Sequence, residues 1–174
     1  FGAMGGMLTS VSDLSKYVGA FLAAWPPRDG AETSPVRRAS LREMQQIWRA
    51  RPAIASRSAG GELDLSPGGF GSGLRAGQSC PFSHIVAHTG GLPGYGSIMQ
   101  WLPEYGVGFI GFGNVTYTGW TPIANAAFDM LKATGGLEPR TVQPSPSLVE
   151  MRDVVKRFGE VSAVEVKASN SRSR

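Results

Sequence analysis

At 174 residues the chain is long enough for one domain with a substantial core, and 41% hydrophobic content with no apolar run of membrane-span length predicts no membrane span. The net charge of +4 carries no nucleic-acid signature: Lys167, Arg172 and Arg174 sit in a tail with no acid after Glu165. Arg37, Arg38, Arg42, Arg49, Arg51 and Arg57 fall on and around one predicted helix without interleaved aromatics apart from Trp48, which reads as a solvated basic face and predicts no nucleic-acid partner.

In chain order, Ser10 to Trp25 reads as an amphipathic helix. Leu14, Tyr17, Val18, Phe21, Leu22 and Trp25 recur at the spacing of one helical face, Ser10 with Asp13 resembles a capping box, and Pro26-Pro27 ends the run. A polar loop follows over 26–39. A second helix is predicted from Ser40, with Glu43 three positions on, to about Arg49, with Leu41, Met44 and Trp48 turned inward. Residues 52–69 are rich in Ala, Ser, Gly and Pro and read as loop. Gly69 to Ala76 and Phe82 to Thr89 are predicted strands. Ser97 to Leu102 and Val107 to Phe112 are predicted to pair as an antiparallel hairpin around Pro103-Glu104-Tyr105-Gly106. A third helix opens at Thr121-Pro122, carries Ile123, Ala127, Met130 and Leu131 on one face, and stops at Gly135. Thr141 to Ser147 reads as a linker, Leu148 to Phe158 as a short helix, and the sequence beyond Gly159 as unstructured. The expected division is therefore a body over residues 1–140 and, over 141–174, a linker, short helix and tail.

The chemistry is concentrated where a predicted strand ends in His88-Thr89-Gly90, followed by Gly91 and then the hairpin. Upstream lies Gly5-Gly6-Met7-Leu8-Thr9-Ser10-Val11-Ser12-Asp13-Leu14. The two segments, in this order and with this hairpin, resemble the penicillin-recognising serine hydrolases: class C β-lactamases, DD-peptidases and related bacterial-type esterases. In that family a Lys-Thr-Gly or His-Thr-Gly strand walls the active site, and a Gly-Gly-x-x-Ser/Thr-x-x-Asp-Leu motif starts a helix. The resemblance covers most of residues 5–133. It implies an α/β (mixed α+β) β-lactamase/transpeptidase-like fold, an antiparallel sheet flanked by helices, of which this chain would be the C-terminal half only.

The resemblance also implies roles for individual residues. Acyl transfer needs an activated nucleophile, a proton shuttle and donors aimed at the developing oxyanion. By resemblance, Gly91 offers the second oxyanion-hole N–H and His88 stands at the motif's basic position, as the catalytic candidates. Thr89 offers a hydroxyl to substrate, and Gly90 with Gly91 leaves room for it beside the strand. Histidine, with an ordinary pKa of about 6.5, holds a substrate carboxylate less well at neutral pH than the family's usual lysine. That lowers the case for β-lactams and raises it for esters, amides or D-amino-acid peptides. Asn114, which closes the last strand, reads as a turn residue.

Two family elements are missing. No serine has lysine three residues on, and Tyr17, Tyr95, Tyr105 and Tyr117 are followed two positions later by Gly, Ser, Val and Gly, so neither Ser-x-x-Lys nor Tyr-x-Asn occurs. Both precede the Gly-Gly helix start in the family, so the expectation is a fragment, inactive by itself, whose partners would be the missing N-terminal half and a small-molecule or peptide substrate. The alternative is a nucleophile-free binding or regulatory relative of the same fold.

Rival motifs fail on geometry. His84 and His88 are spaced for zinc on a helix, but four residues of strand span about 13 Å, so no metal is expected. Gly106-Val-Gly-Phe-Ile-Gly111 and Gly71-Ser-Gly-Leu-Arg-Ala76 mimic a dinucleotide fingerprint, yet both lie in strand patterns and lack the required strand-to-helix turn. No cofactor is expected. Cys80, the single cysteine, excludes an internal disulfide and leaves the compartment open.

Overall fold

The computed structural model describes residues 5–138 apart from 33, 58–60, 62 and 80, together with the backbone of 155–158 and 161–164. The chain divides into two compact units, Phe1–Arg140 and Thr141–Arg174. The first unit is mixed α+β. Helices α1 (Val11–Leu22) and α2 (Arg38–Met44) precede six strands, β1 (Arg49–Arg57), β2 (Leu63–Phe70), β3 (Arg75–Gly77), β4 (Ile85–Leu92), β5 (Tyr95–Leu102) and β6 (Val107–Gly113), and α3 (Trp120–Ala133) follows. The strands form one sheet in sequential order, and every pairing is antiparallel.

Local chemistry explains where α1 begins. Ser10 is its N-cap, with Oγ accepting from the Asp13 N–H at 3.1 Å and donating to the Asp13 carboxylate at 2.9 Å. Lys16 Nζ closes on the same carboxylate at 2.8 Å. The Lys16 ammonium first, and the Ser10 hydroxyl second, hold the Asp13 carboxyl below its ordinary range. A lowered folded pKa means that this contribution is complete above the unfolded carboxylate value and is lost as pH falls through the folded one. Because the group is exposed the effect is small. Asp13→Asn should therefore lose less stability between pH 5 and pH 2 than the wild-type chain, as read from urea midpoints at about five pH values.

The core lies between α1 and the sheet. Val18, Phe21, Ala24, Leu41, Leu74, Val86 and Trp101 form one buried cluster, with the Phe21 and Trp101 rings 5.4 Å apart. A second cluster, Phe82, Leu102, Phe128 and Leu137, ties α3 to the sheet. Trp101 and Gln100 are successive residues of β5, so they face opposite sides. Trp101 packs on α1 and Gln100 Nε2 donates to Asn125 Oδ1 of α3 at 3.0 Å. The two long helices thus flank opposite faces of the sheet.

Several expectations change. The loop expected over 52–69 contains most of β1 and β2. β1 is exposed along its whole length because it is the sheet edge, so it carries no alternating apolar pattern. Its pairing with β2 shifts register between Arg51 and Ile54, around Pro52, which has no N–H to give a ladder. The strand expected over 69–76 is interrupted by a turn between β2 and β3. The strand expected over 82–89 lies three residues later, as β4. Helix α2 starts earlier, at Arg38, so Ser40 is not its cap; Arg37 is, without a side-chain bond. Trp48 lies beyond α2 and is exposed, its indole N–H donating to the Glu43 carbonyl at 3.2 Å.

Helix α3 is rotated relative to expectation. It buries Ala124 and Phe128, whereas Ile123, Met130 and Leu131 are exposed. The apolar residues wrap more than one face, so spacing alone did not choose between them. In the second unit, β7 (Val155–Phe158) pairs antiparallel with β8 (Val161–Val164). That replaces the helix expected up to Phe158 and part of the tail expected to be unstructured, consistent with β-branched Val155, Val161 and Val164. The expected linker over 141–147 and the start of that helix lie outside the described residues.

Candidate active-site edge

The site follows from how β4 is paired. On one side β4 runs alongside β5 for its whole length, from Val86↔Trp101 to Leu92↔Tyr95. On the other side β3 covers only Ile85, Val86 and Ala87. From His88 to Leu92 no strand among the described residues covers that second side. The open edge arises because β3 is only three residues long; the chain before it turns away, with Gly71 N–H donating to the Leu74 carbonyl at 2.8 Å.

Which backbone groups face the opening is set by the turn. A two-residue connection, Pro93-Gly94, joins β4 to β5, and Gly94 takes the left-handed φ of 83° that a proline-glycine turn requires. In such a hairpin the residues flanking the turn, Leu92 and Tyr95, form a hydrogen-bonded pair, and pairs alternate from there. Gly91 and Thr89 therefore direct their N–H and C=O groups away from β5, into the open edge. Gly90 and Leu92 direct theirs into the sheet.

Side chains separate by face. Val86 is buried against the α1 cluster, so His88 and Gly90 share the α1 face. Thr89 and Gly91 share the α3 face with Ile85 and Ala87. The four candidate residues are thus brought together along one edge as backbone, while the His88 imidazole and the Thr89 hydroxyl flank that edge from opposite sides. His88 is exposed.

The two glycines also have close neighbours, a ring at Gly91 and a hydroxyl free to rotate at Gly90. A Cβ at Gly91 would collide with the Tyr117 ring, and one at Gly90 with Ser97 Oγ. Tyr117 belongs to the turn after β6 and has φ 51°, the only left-handed non-glycine residue among those described. The residue is 77% exposed, and its ring lies on the α3 side of Gly91. The turn is fixed by Thr116 Oγ1, which accepts from the Gly94 N–H at 2.6 Å, and by Thr118 Oγ1, which donates to the Val115 carbonyl at 2.8 Å.

His84 is placed quite differently. Its Nε2 lies 3.1 Å from the Gln45 carbonyl, and its ring stands edge-on to Trp25 at 5.4 Å. A carbonyl only accepts, so Nε2 carries the hydrogen in this contact. Gln45 is fully buried, donating from Nε2 to the Leu41 carbonyl at 2.9 Å and accepting from the Trp101 indole at 2.9 Å. The His84–Gln45–Trp101 group joins the end of α2 to the sheet beneath the candidate edge. Sequence reading missed Gln45 and Tyr117. The available signal for Gln45 was an amide one helical turn after the inward Leu41; nothing local marked Tyr117. The basic cluster is likewise partly structural: Arg38 donates to the Ala31 and Gly30 carbonyls, and Arg42 to the Ala24 carbonyl, each at 2.9 Å.

No protein-family model, curated protein or solved structure matches the chain. Among the described residues no helix is long and apolar enough to cross a membrane.

Proposed function

We propose that the chain carries one wall of a serine hydrolase that works through an acyl-serine intermediate on esters, amides or D-amino-acid peptides. The observation that supports this reading best is the open edge of β4, where the Gly91 and Thr89 amides face outward beside an exposed His88. A substrate carbonyl lying along that edge receives a hydrogen bond from the Gly91 N–H. As a serine oxygen from outside these 174 residues adds to the carbonyl carbon, that bond strengthens on the oxyanion. The leaving group departs with a proton, and water then releases the acyl group and restores the serine. His88 acts from the α1 face as a hydrogen-bonding group for substrate. The β-lactamase/transpeptidase-like fold belongs to the same proposal.

The open edge also favours a second reading. Outward N–H and C=O groups on alternate residues are what an extended peptide needs to add as a strand, with no nucleophile required. A nucleophile-free peptide-binding relative would use the same residues.

The isolated chain should show no covalent labelling by a serine-directed fluorophosphonate, because no serine here has a lysine three residues on and the two seen to donate to carboxylates, Ser10 to Asp13 and Ser83 to Glu104, are exposed and face only weak bases. Stoichiometric labelling of any serine here would overturn the proposal. In a protein extended upstream to contain a Ser-x-x-Lys, His88→Ala should lower kcat/KM on a small ester by about tenfold or more, and His84→Ala much less. Equal losses would show that β4 is not the wall of the site.

A further inference from the structure

Among the described residues of the first unit, the α3 face of the sheet is only half covered. Among the described elements α3 packs on β5 and β6 alone. Beside it a groove of about 860 Å³ runs over β1, β2 and β3. Its floor includes Ile54, Phe70, Ile85 and Phe128, and Ile54 and Phe70 are 55% and 50% exposed. Among the described residues its charged lining is Arg51, Arg57, Arg75 and Lys132 against the acid Asp129. The α3 wall is polar: Gln100, only 4% exposed, and Asn125 are bonded to each other there and line the groove.

We propose that this groove is the docking lane of an amphipathic α-helix with an apolar stripe and acidic flanks, carried by a partner protein. Three observations select that occupant. Neighbouring strands lie about 4.8 Å apart, so β1 to β4 offer a floor about 14 Å wide, and a helix with its side chains is about 10–12 Å across. One helix therefore fits beside α3 and continues the layer that α3 begins. A drug-sized ligand needs walls that enclose most of its surface, which an open lane of this width does not supply. The excess of cations along the lane selects acidic flanks, and Arg75, 5.9 Å above the Phe70 ring, places one of those charges directly over the apolar floor.

The test uses the 174-residue chain and three fluorescent peptides of about 18 residues, roughly five helical turns. One has a leucine stripe with Glu flanks, the second the same stripe with Lys flanks, and the third the first peptide's composition scrambled to remove the stripe. Fluorescence anisotropy should give at least tenfold tighter binding of the Glu-flanked helix than of either control at low salt. Phe70→Asp should abolish binding, Val36→Asp, at an exposed residue that does not line the groove, should not, and Arg51→Glu with Arg57→Glu should shift preference toward the Lys-flanked peptide. Absence of binding, equal binding of the scrambled peptide, or a preference untouched by the double charge reversal would overturn the proposal. So would sedimentation showing that the chain fills the groove by dimerising, with Phe70→Asp restoring the monomer.

Discussion

Replacing Trp101 with alanine should lower the unfolding free energy of the first unit by about 3–5 kcal/mol, the range for emptying a large buried aromatic site. Trp101 is fully buried, packs against Phe21 of α1, and donates its indole hydrogen to Gln45. It therefore holds apolar packing and a polar junction at once. Trp101→Phe separates the two. It keeps most of the ring but leaves the buried Gln45 Oε1 without its donor, at a cost of about 1–3 kcal/mol. Urea denaturation of both variants, followed by far-ultraviolet circular dichroism, measures the split. If Trp101→Ala costs no more than Trp101→Phe, the packing between α1 and the sheet is not what stabilises the unit.

Gly71→Ala should destabilise by about 1–3 kcal/mol, toward the upper end of the cost of forcing atoms into a filled space. A Cβ there would collide with the Met44 carbonyl oxygen and approach that of Gln46 at 2.5 Å. Both oxygens belong to backbone at the end of α2, where Ser72 N–H donates to Met44 at 3.1 Å, so neither moves without breaking the helix's anchor to the sheet. Gly19→Ala gives the opposite sign. Gly19 lies within α1 with no atom near its would-be Cβ, and alanine there should stabilise by about 0.5–1 kcal/mol. Thermal melts of the two variants should move in opposite directions. A matching fall for both would mean that the α2–sheet contact is not what Gly71 protects.

The parts legible in the sequence are those whose pattern is local. The Leu14, Val18 and Phe21 stripe of α1 and its Ser10 cap, the β5–β6 hairpin with its four-residue turn, and the limits of α3 all depend on neighbours within a few residues, whereas α1 ends at Leu22 and not at Trp25, and Tyr17, expected inward, is exposed. The edge strand β1 was not legible, because burial never imprints alternation on a strand exposed on both faces. Neither was the side of α3 that turns inward, since Phe128 and Ile123 are equally apolar and only the sheet decides between them. At the candidate site the sequence marked His88, Thr89, Gly90 and Gly91 as a unit. That His88 and Thr89 part to opposite faces follows from alternation along the expected strand, but only the placing of β4 gives His88 the α1 face. The sequence did not show that Tyr117 lies on Gly91, a contact between residues distant in the chain.

The sequential strand order has a consequence for how the molecule assembles. Each strand pairs with its chain neighbour, so every ladder closes only a short loop, and the sheet can grow by adding one hairpin at a time. The joints that reach back to the helices are different: Gln45 and Trp101 are 56 residues apart, and Phe21 meets Trp101 across about 80. Loop-closure entropy places those contacts late. The meander is then expected to form first as a ribbon with one face bare, and the docking of α1 on it to come afterwards.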